Sequence, residues 1–231
     1  MNQAPDPGSA GALEIGVEIR LALAHAPRGM RSRFAALFAL DAALAAVLAR
    51  RGDAMIARIK LAWWREALEA LDQRPPPPAP VLKAAAGELL PHGVSGAALA
   101  GMEEGWRMLL DEERLGSAAL HRYARARGGR LFRHAAALLG ERGTPPVEAA
   151  GAIWALADLA RHGSGDEATD ALAAARALAP DVPRQWPGPL RPLGMLAALG
   201  LRDARRGALA LETPGAPARI LRMIAMRVSG R

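Results

Sequence analysis

Side chains that could carry out metal or acid–base chemistry are sparse and scattered in this chain. The five histidines (His25, His92, His121, His134 and His162) never fall three to five residues apart, the spacing that lets two imidazoles share a zinc ion. No cysteine is present, which removes disulfides, thiolate metal sites and a thiol nucleophile. A serine-hydrolase elbow, a phosphate-cradling glycine loop and a dinucleotide fingerprint are also missing. The acidic run Asp111-Glu112-Glu113 reads as a solvated turn. The pair Gly128-Gly129 sits inside a helical pattern, where glycine allows either close helix packing or close approach of a ligand to the backbone.

The elements that must position such groups read as helices. Ala and Leu dominate the 231 residues, aromatics are 4%, and no run alternates with period two, so the chain is expected to be all-α. The stretch Arg31–Leu71 reads as two consecutive helices joined at Arg51-Gly52-Asp53, around which the rest is organised. Phe34, Leu37, Phe38, Leu40, Leu44, Val47 and Leu48 give the first a wide apolar face. Met55, Ile56, Ile59, Trp63, Ala67 and Leu71 give the second its stripe. Gly52 is the expected stop and Asp53 the expected cap.

Before this pair a helix is expected from about Ala12 to Ala26. After it, the tract Pro75–Pro78 is a stiff connector, because four prolines cannot lie in a helix. Further helices are expected over Val81–Leu90, from Ser95 through Leu110, and from Ser117 to Gly140. Thr144-Pro145-Pro146 opens the next, which stops at Gly163-Ser164-Gly165. A short helix over Asp170–Leu178, a proline-rich loop to Pro192, and helices over Leu193–Leu211 and Ala216–Val228 complete about nine helices. Residues 1–11 are expected to be disordered and residues 12–231 to form one domain.

The formal charge of +7 is spread along the chain, and aromatics for stacking on bases are few, which argues against nucleic acid. The N-terminus has no basic, then apolar, secretory pattern, and no apolar run reaches about 18 residues without interruption. A cytoplasmic protein, with room for contact at the membrane periphery, is the expectation.

From His25 to Leu68 the text AHAPRGMRSRFAALFALDAALAAVL…IKLAWWREAL resembles the squalene/phytoene synthase family. It is especially similar to the divergent branch that includes the mitochondrial complex I assembly factor and bacterial relatives. Leu120-His121-Arg122-Tyr123…Gly128-Gly129, Gly151-Ala152-Ile153…Leu159-Ala160-Arg161, Pro189–Leu193 and Pro217–Arg222 agree in the same order. The resemblance implies a helical bundle of the isoprenoid-synthase type around a central apolar cavity. In active members two aspartate-rich motifs hold magnesium, which ionises a prenyl diphosphate before head-to-head coupling to a second.

Aligned on Phe38-Ala39-Leu40, the first motif's aspartate positions carry Ala45, Ala46 and Ala49. In the second motif Arg161 is kept, and the two aspartate positions carry His162 and Asp166, with Asp170 four residues on. The resemblance assigns Tyr123 a part in steering protons or carbocations, and leaves Tyr123 and Asp166 as the catalytic candidates. It makes Phe38, Trp63, Arg161, Asp166 and Asp170 the candidates for substrate contact; Arg58 and Lys60 are further cations that could meet a diphosphate.

Three functions follow. The first is a non-catalytic, magnesium-free protein that binds a prenyl or other lipid, or a protein partner in respiratory complex assembly. The second is an active, magnesium-dependent prenyl transferase working from Asp166 and Asp170. The third is a peripheral membrane protein with a basic face at Arg219, Arg222 and Arg227.

Overall fold

The computed structural model describes residues 15–49, 53–112, 114–140, 147–163 and 165–231. Twelve α-helices and no strand occur among them. The first six are α1 (Val17–His25), α2 (Arg31–Ala49), α3 (Ala54–Ala70), α4 (Pro80–Glu88), α5 (Gly96–Ala100) and α6 (Glu103–Asp111). Then follow α7 (Ser117–Ala124), a π turn (Arg125–Gly129), α8 (Arg130–Leu138) and α9 (Val147–His162). The last are α10 (Gly165–Ala177), α11 (Arg191–Arg206) and α12 (Pro217–Ser229). The expected disorder of residues 1–11, the stop at Gly52, and the opening at Thr144-Pro145-Pro146 lie outside the described residues, as do Glu113 and Ser164.

α9 is the hub, packed against α7, the π turn, α8, α10 and α11. Its buried positions, from Val147 and Ala150 through Ile153 and Leu156 to Ala160, run around the helix and are mostly Ala or Gly. Small side chains let neighbours approach from several sides, so the most central helix has no large apolar stripe to announce it. The closest approach is at Gly128 and Gly151, where a Cβ on either would run into the other's backbone carbonyl. Close helix packing therefore accounts for Gly128.

α2 packs on α1, α3, α4, α6 and α8, and buries Phe34, Leu37, Phe38, Leu40 and Leu44. The stretch Arg28–Ala49 is long and apolar enough to cross a bilayer, with mean hydropathy 1.7. In the bundle 44% of its most apolar window is buried.

Local capping follows the sequence at two helices. Asp53 accepts from the Met55 amide at 2.8 Å, and Ser95 Oγ from the Ala98 amide at 3.1 Å. Asp72 also accepts from the amides of Gly96 and Ala97, at 2.6 and 2.9 Å, tying α5 to the end of α3.

Several expectations need correction. α10 begins at Gly165 rather than Asp170, α11 ends at Arg206 rather than Leu211, and twelve helices stand among the described residues where about nine were expected. The helix expected from Ser95 through Leu110 is broken after Gly101, whose carbonyl accepts from Arg130 instead of continuing the helical ladder. The α3 stripe is split: Leu61, Ala67 and Leu68 face the core, whereas Met55, Ile56 and Ile59 fall on the far side and are exposed. Arg219, expected on a basic outer face, is buried.

Candidate functional site

The interior between α2 and α9 is polar, in a chain whose core is mostly Ala and Leu. Asp41 projects from the buried face of α2 and is 4% exposed. Arg127 comes from the π turn, whose widened backbone sits deep enough that Ala126 through Gly129 are all buried. Its Nε and Nη2 donate to Asp41 Oδ1 and Oδ2 at 3.4 and 3.2 Å. Nη1 donates to Asp158 Oδ2 on α9 at 2.6 Å and to the Tyr123 hydroxyl at 2.8 Å.

Two indoles enclose this guanidinium: the Trp106 ring lies 3.9 Å from it and the Trp154 ring 5.0 Å. Trp106 also donates through Nε1 to Asp41 Oδ1 at 3.1 Å. Phe38 packs edge-on to Trp154, with centroids 6.0 Å apart.

Burial disfavours the charged form of Arg127, but the facing Asp41, Tyr123 and Asp158 outweigh it and hold its pKa above the usual arginine range. Burial pushes the Tyr123 phenol up to about 12, so it stays protonated at neutral pH. A buried ion pair of this kind adds little net stability but is costly to break from one side. The cluster ties α2, α6, the α7–π segment and α9 at fixed spacing.

Beyond Asp158 lies a cavity of about 140 Å³ lined by Trp154, Asp158, Arg161, Leu196, Gly200 and Asp203 among others. Pockets for small molecules usually run to about 300 Å³ or more, so this one suits a few waters or a small polar group. Its walls carry a second network. Arg161 donates to Asp203 at 2.7 Å and to the Glu212 carbonyl at 2.6 Å. Arg219 grips both Glu18 oxygens, at 2.6 and 2.9 Å, and also pairs with Asp203. Burial raises the Glu18 pKa, but the hydrogen bond from Arg219 and that from the Gly215 amide outweigh it, leaving it below the usual range.

The sequence-derived residues are thus divided. Tyr123, Phe38 and Arg161 lie in or beside these two networks. Asp166 and Asp170 lie away from them, exposed on α10, with Arg114 at 3.9 and 2.8 Å. His162 is exposed, Ala45 and Ala46 are half-buried, and Ala49 is exposed. Trp63 is half-buried edge-on to Trp64, with centroids 5.4 Å apart. Arg58 pairs with Asp111 at the surface, at 3.2 Å, and Lys60 is half-buried. The acidic turn is an acceptor for cations, with Arg107 also on Asp111 and Arg122 on Glu112.

Asp41, Arg127, Asp158, Trp106 and Trp154 carry no motif and were not legible as a site. The available signals were a single carboxylate inside an Ala/Leu-rich helix and an arginine four residues after Tyr123. Their register is informative. Ala45 follows Asp41 by one helical turn, and His162 follows Asp158 by one turn. Arg127 therefore bridges α2 and α9 one turn before the positions where the resemblance places metal ligands.

The donor set does not suit magnesium. The positions on α2 carry methyl groups, and the nearest carboxylates on both helices are bound to Arg127. Among the described residues no three His, Asp or Glu side chains group so as to hold a metal.

The all-α bundle is the architecture expected of the isoprenoid-synthase class. Comparison with family models matches squalene/phytoene synthase over residues 16–173. The chain belongs to the squalene/phytoene synthase family. Neither curated proteins nor solved structures gave a significant match.

Proposed function

We propose that this is a non-catalytic member of its family, which uses the bundle to bind a lipid or a protein partner. The observation that carries this reading is the buried Asp41–Arg127–Asp158 cluster. An internal cation occupies the carboxylates nearest to the expected metal positions; four of those five positions hold Ala45, Ala46, Ala49 and His162, and the fifth, Asp166, faces Arg114 at the surface. Ionising a prenyl diphosphate needs several hard oxygen ligands for magnesium, and replacing first-sphere carboxylates removes the Lewis acid altogether.

The exposed stripe of Met55, Ile56 and Ile59 on α3 supports the partner-binding form, because clustered exposed apolar side chains mark interaction surfaces. The most specific version, taken from the sequence resemblance to the divergent branch, is assistance in assembling respiratory complex I.

An active prenyl transferase is the competing reading. It would rely on Asp166 and Asp170, whose carboxylates face solvent and Arg114 rather than the core. The test is release of diphosphate from farnesyl or geranylgeranyl diphosphate with magnesium present. We expect none above the rate without protein. Release that disappears in Asp166→Ala would establish the transferase instead.

A further inference from the structure

A second cavity lies on a different side of α11 from the Asp158 network, walled by α11, α12 and the loop between α10 and α11. Its volume is about 290 Å³. The floor is apolar, with Val182, Trp186, Ala198 and Met226. Trp186 is held in place by its amide, which donates to the Gly230 carbonyl at 2.9 Å, and by packing against Gly194, where a Cβ would collide with its ring.

Four arginines line this cavity: Arg184, Arg205, Arg222 and Arg231. Their neighbours Arg202, Arg206 and Arg219 are all paired with carboxylates. Among the described residues Arg184, Arg205 and Arg222 form no salt bridge, and Arg231 lines the cavity beside them. Uncompensated guanidiniums around an apolar floor suit an anion joined to an apolar body, and the planar fork fits phosphate oxygens in pairs.

The volume is at the lower limit for a small-molecule pocket. It takes a headgroup and the start of a chain, so the rest of the ligand must lie outside. Along α12, beside Arg222, the outward face carries Leu221, Ile224 and Val228, of which Leu221 is 66% and Val228 73% exposed. These are one, two and six residues from Arg222, and Ala218 and Ala225 lie between the cavity side and the stripe. An arginine-lined cavity continuous with an apolar helix face has the character of a bilayer-contacting surface.

We propose that the α11–α12 cavity binds the phosphate headgroup of an anionic phospholipid at a bilayer surface, with the α12 stripe entering the interface. The site is separate from the Arg127 cluster and does not depend on whether that cluster supports catalysis.

The experiment is co-sedimentation of the full chain with phosphatidylcholine vesicles, plain or doped with phosphatidic acid. Binding is expected only to doped vesicles and should weaken as salt rises. Arg184→Gln/Arg205→Gln/Arg222→Gln should weaken it on the order of a hundredfold, at roughly a few-fold to tenfold per arginine. Leu221→Ser/Val228→Ser should also release the protein. Arg28→Gln/Arg74→Gln/Arg125→Gln, which removes three exposed charges elsewhere, should retain binding. Circular dichroism melts identify any variant that fails to fold.

Equal losses for the cavity and control variants would reduce the effect to net charge and overturn the site. Failure to bind doped vesicles would overturn it too. So would binding of a soluble alkyl phosphate by a protein that ignores vesicles, because the ligand would then not come from a bilayer.

Discussion

The guanidinium of Arg127 stands 2.6 Å from the carboxylate of Asp158, one helical turn before His162, where a metal-binding relative would carry an aspartate. Its other edge meets Asp41, one turn before Ala45. One arginine thus bridges two helices that active family members are expected to bridge through magnesium and diphosphate.

If that arginine holds the bundle together, removing it alone should be expensive. Arg127→Met leaves Asp41 buried with no cation and is expected to cost about 3–5 kcal/mol. Adding Asp41→Asn to it should recover part of the loss, because the uncompensated charge disappears. Urea unfolding of the two single variants and the double variant measures the coupling. Additive losses would mean that the pair is not coupled.

Gly128 and Gly151 set the distance between the π turn and α9. Gly128→Ala is expected to destabilise by about 1–3 kcal/mol through overpacking. Gly129→Ala has room, since the nearest atom to its Cβ would be 3.5 Å away, and should be much milder. Thermal melts of the two variants side by side distinguish a packing contact from a general intolerance of the turn to side chains.

His134 gives the fold an acid sensitivity. Its Nε2 is buried without a partner, and burial, reinforced by Arg133 and Arg130, pulls its pKa down to about 4. The unfolded imidazole takes up its proton near pH 6.5, so stability falls as pH drops from about 6.5 towards 4. The contribution is up to about 3 kcal/mol. His134→Gln should flatten the pH profile of unfolding in that window, and an unchanged slope would assign the acid loss to the carboxylates.

Asp166 and Asp170 should behave as surface residues. Asp166→Ala/Asp170→Ala is expected to change stability by no more than about 1 kcal/mol, and magnesium should not raise the melting temperature of the parent chain. Differential scanning calorimetry with and without magnesium reads both.

The helical class and the family were legible because they rest on local signals: alanine and leucine periodicity, caps such as Ser95 and Asp53, and short motifs in fixed order. The Arg127 cluster was not, because its partners Asp41 and Asp158 lie 86 and 31 residues away in sequence. A single charge in an alanine-rich helix looks solvated until the fold supplies its counterion. The α3 stripe misled for the opposite reason. Met55, Ile56 and Ile59 keep helical spacing but face outward, and periodicity cannot tell a core face from an interaction face.

If the Arg127 cluster has replaced metal-assisted diphosphate chemistry, ligand binding must be indifferent to magnesium. Titration calorimetry of a non-hydrolysable farnesyl diphosphate analogue, with and without magnesium, tests it most directly. Magnesium should make no difference to the heat or the affinity. Binding that appears only with magnesium, and is lost in Asp166→Ala, would contradict it.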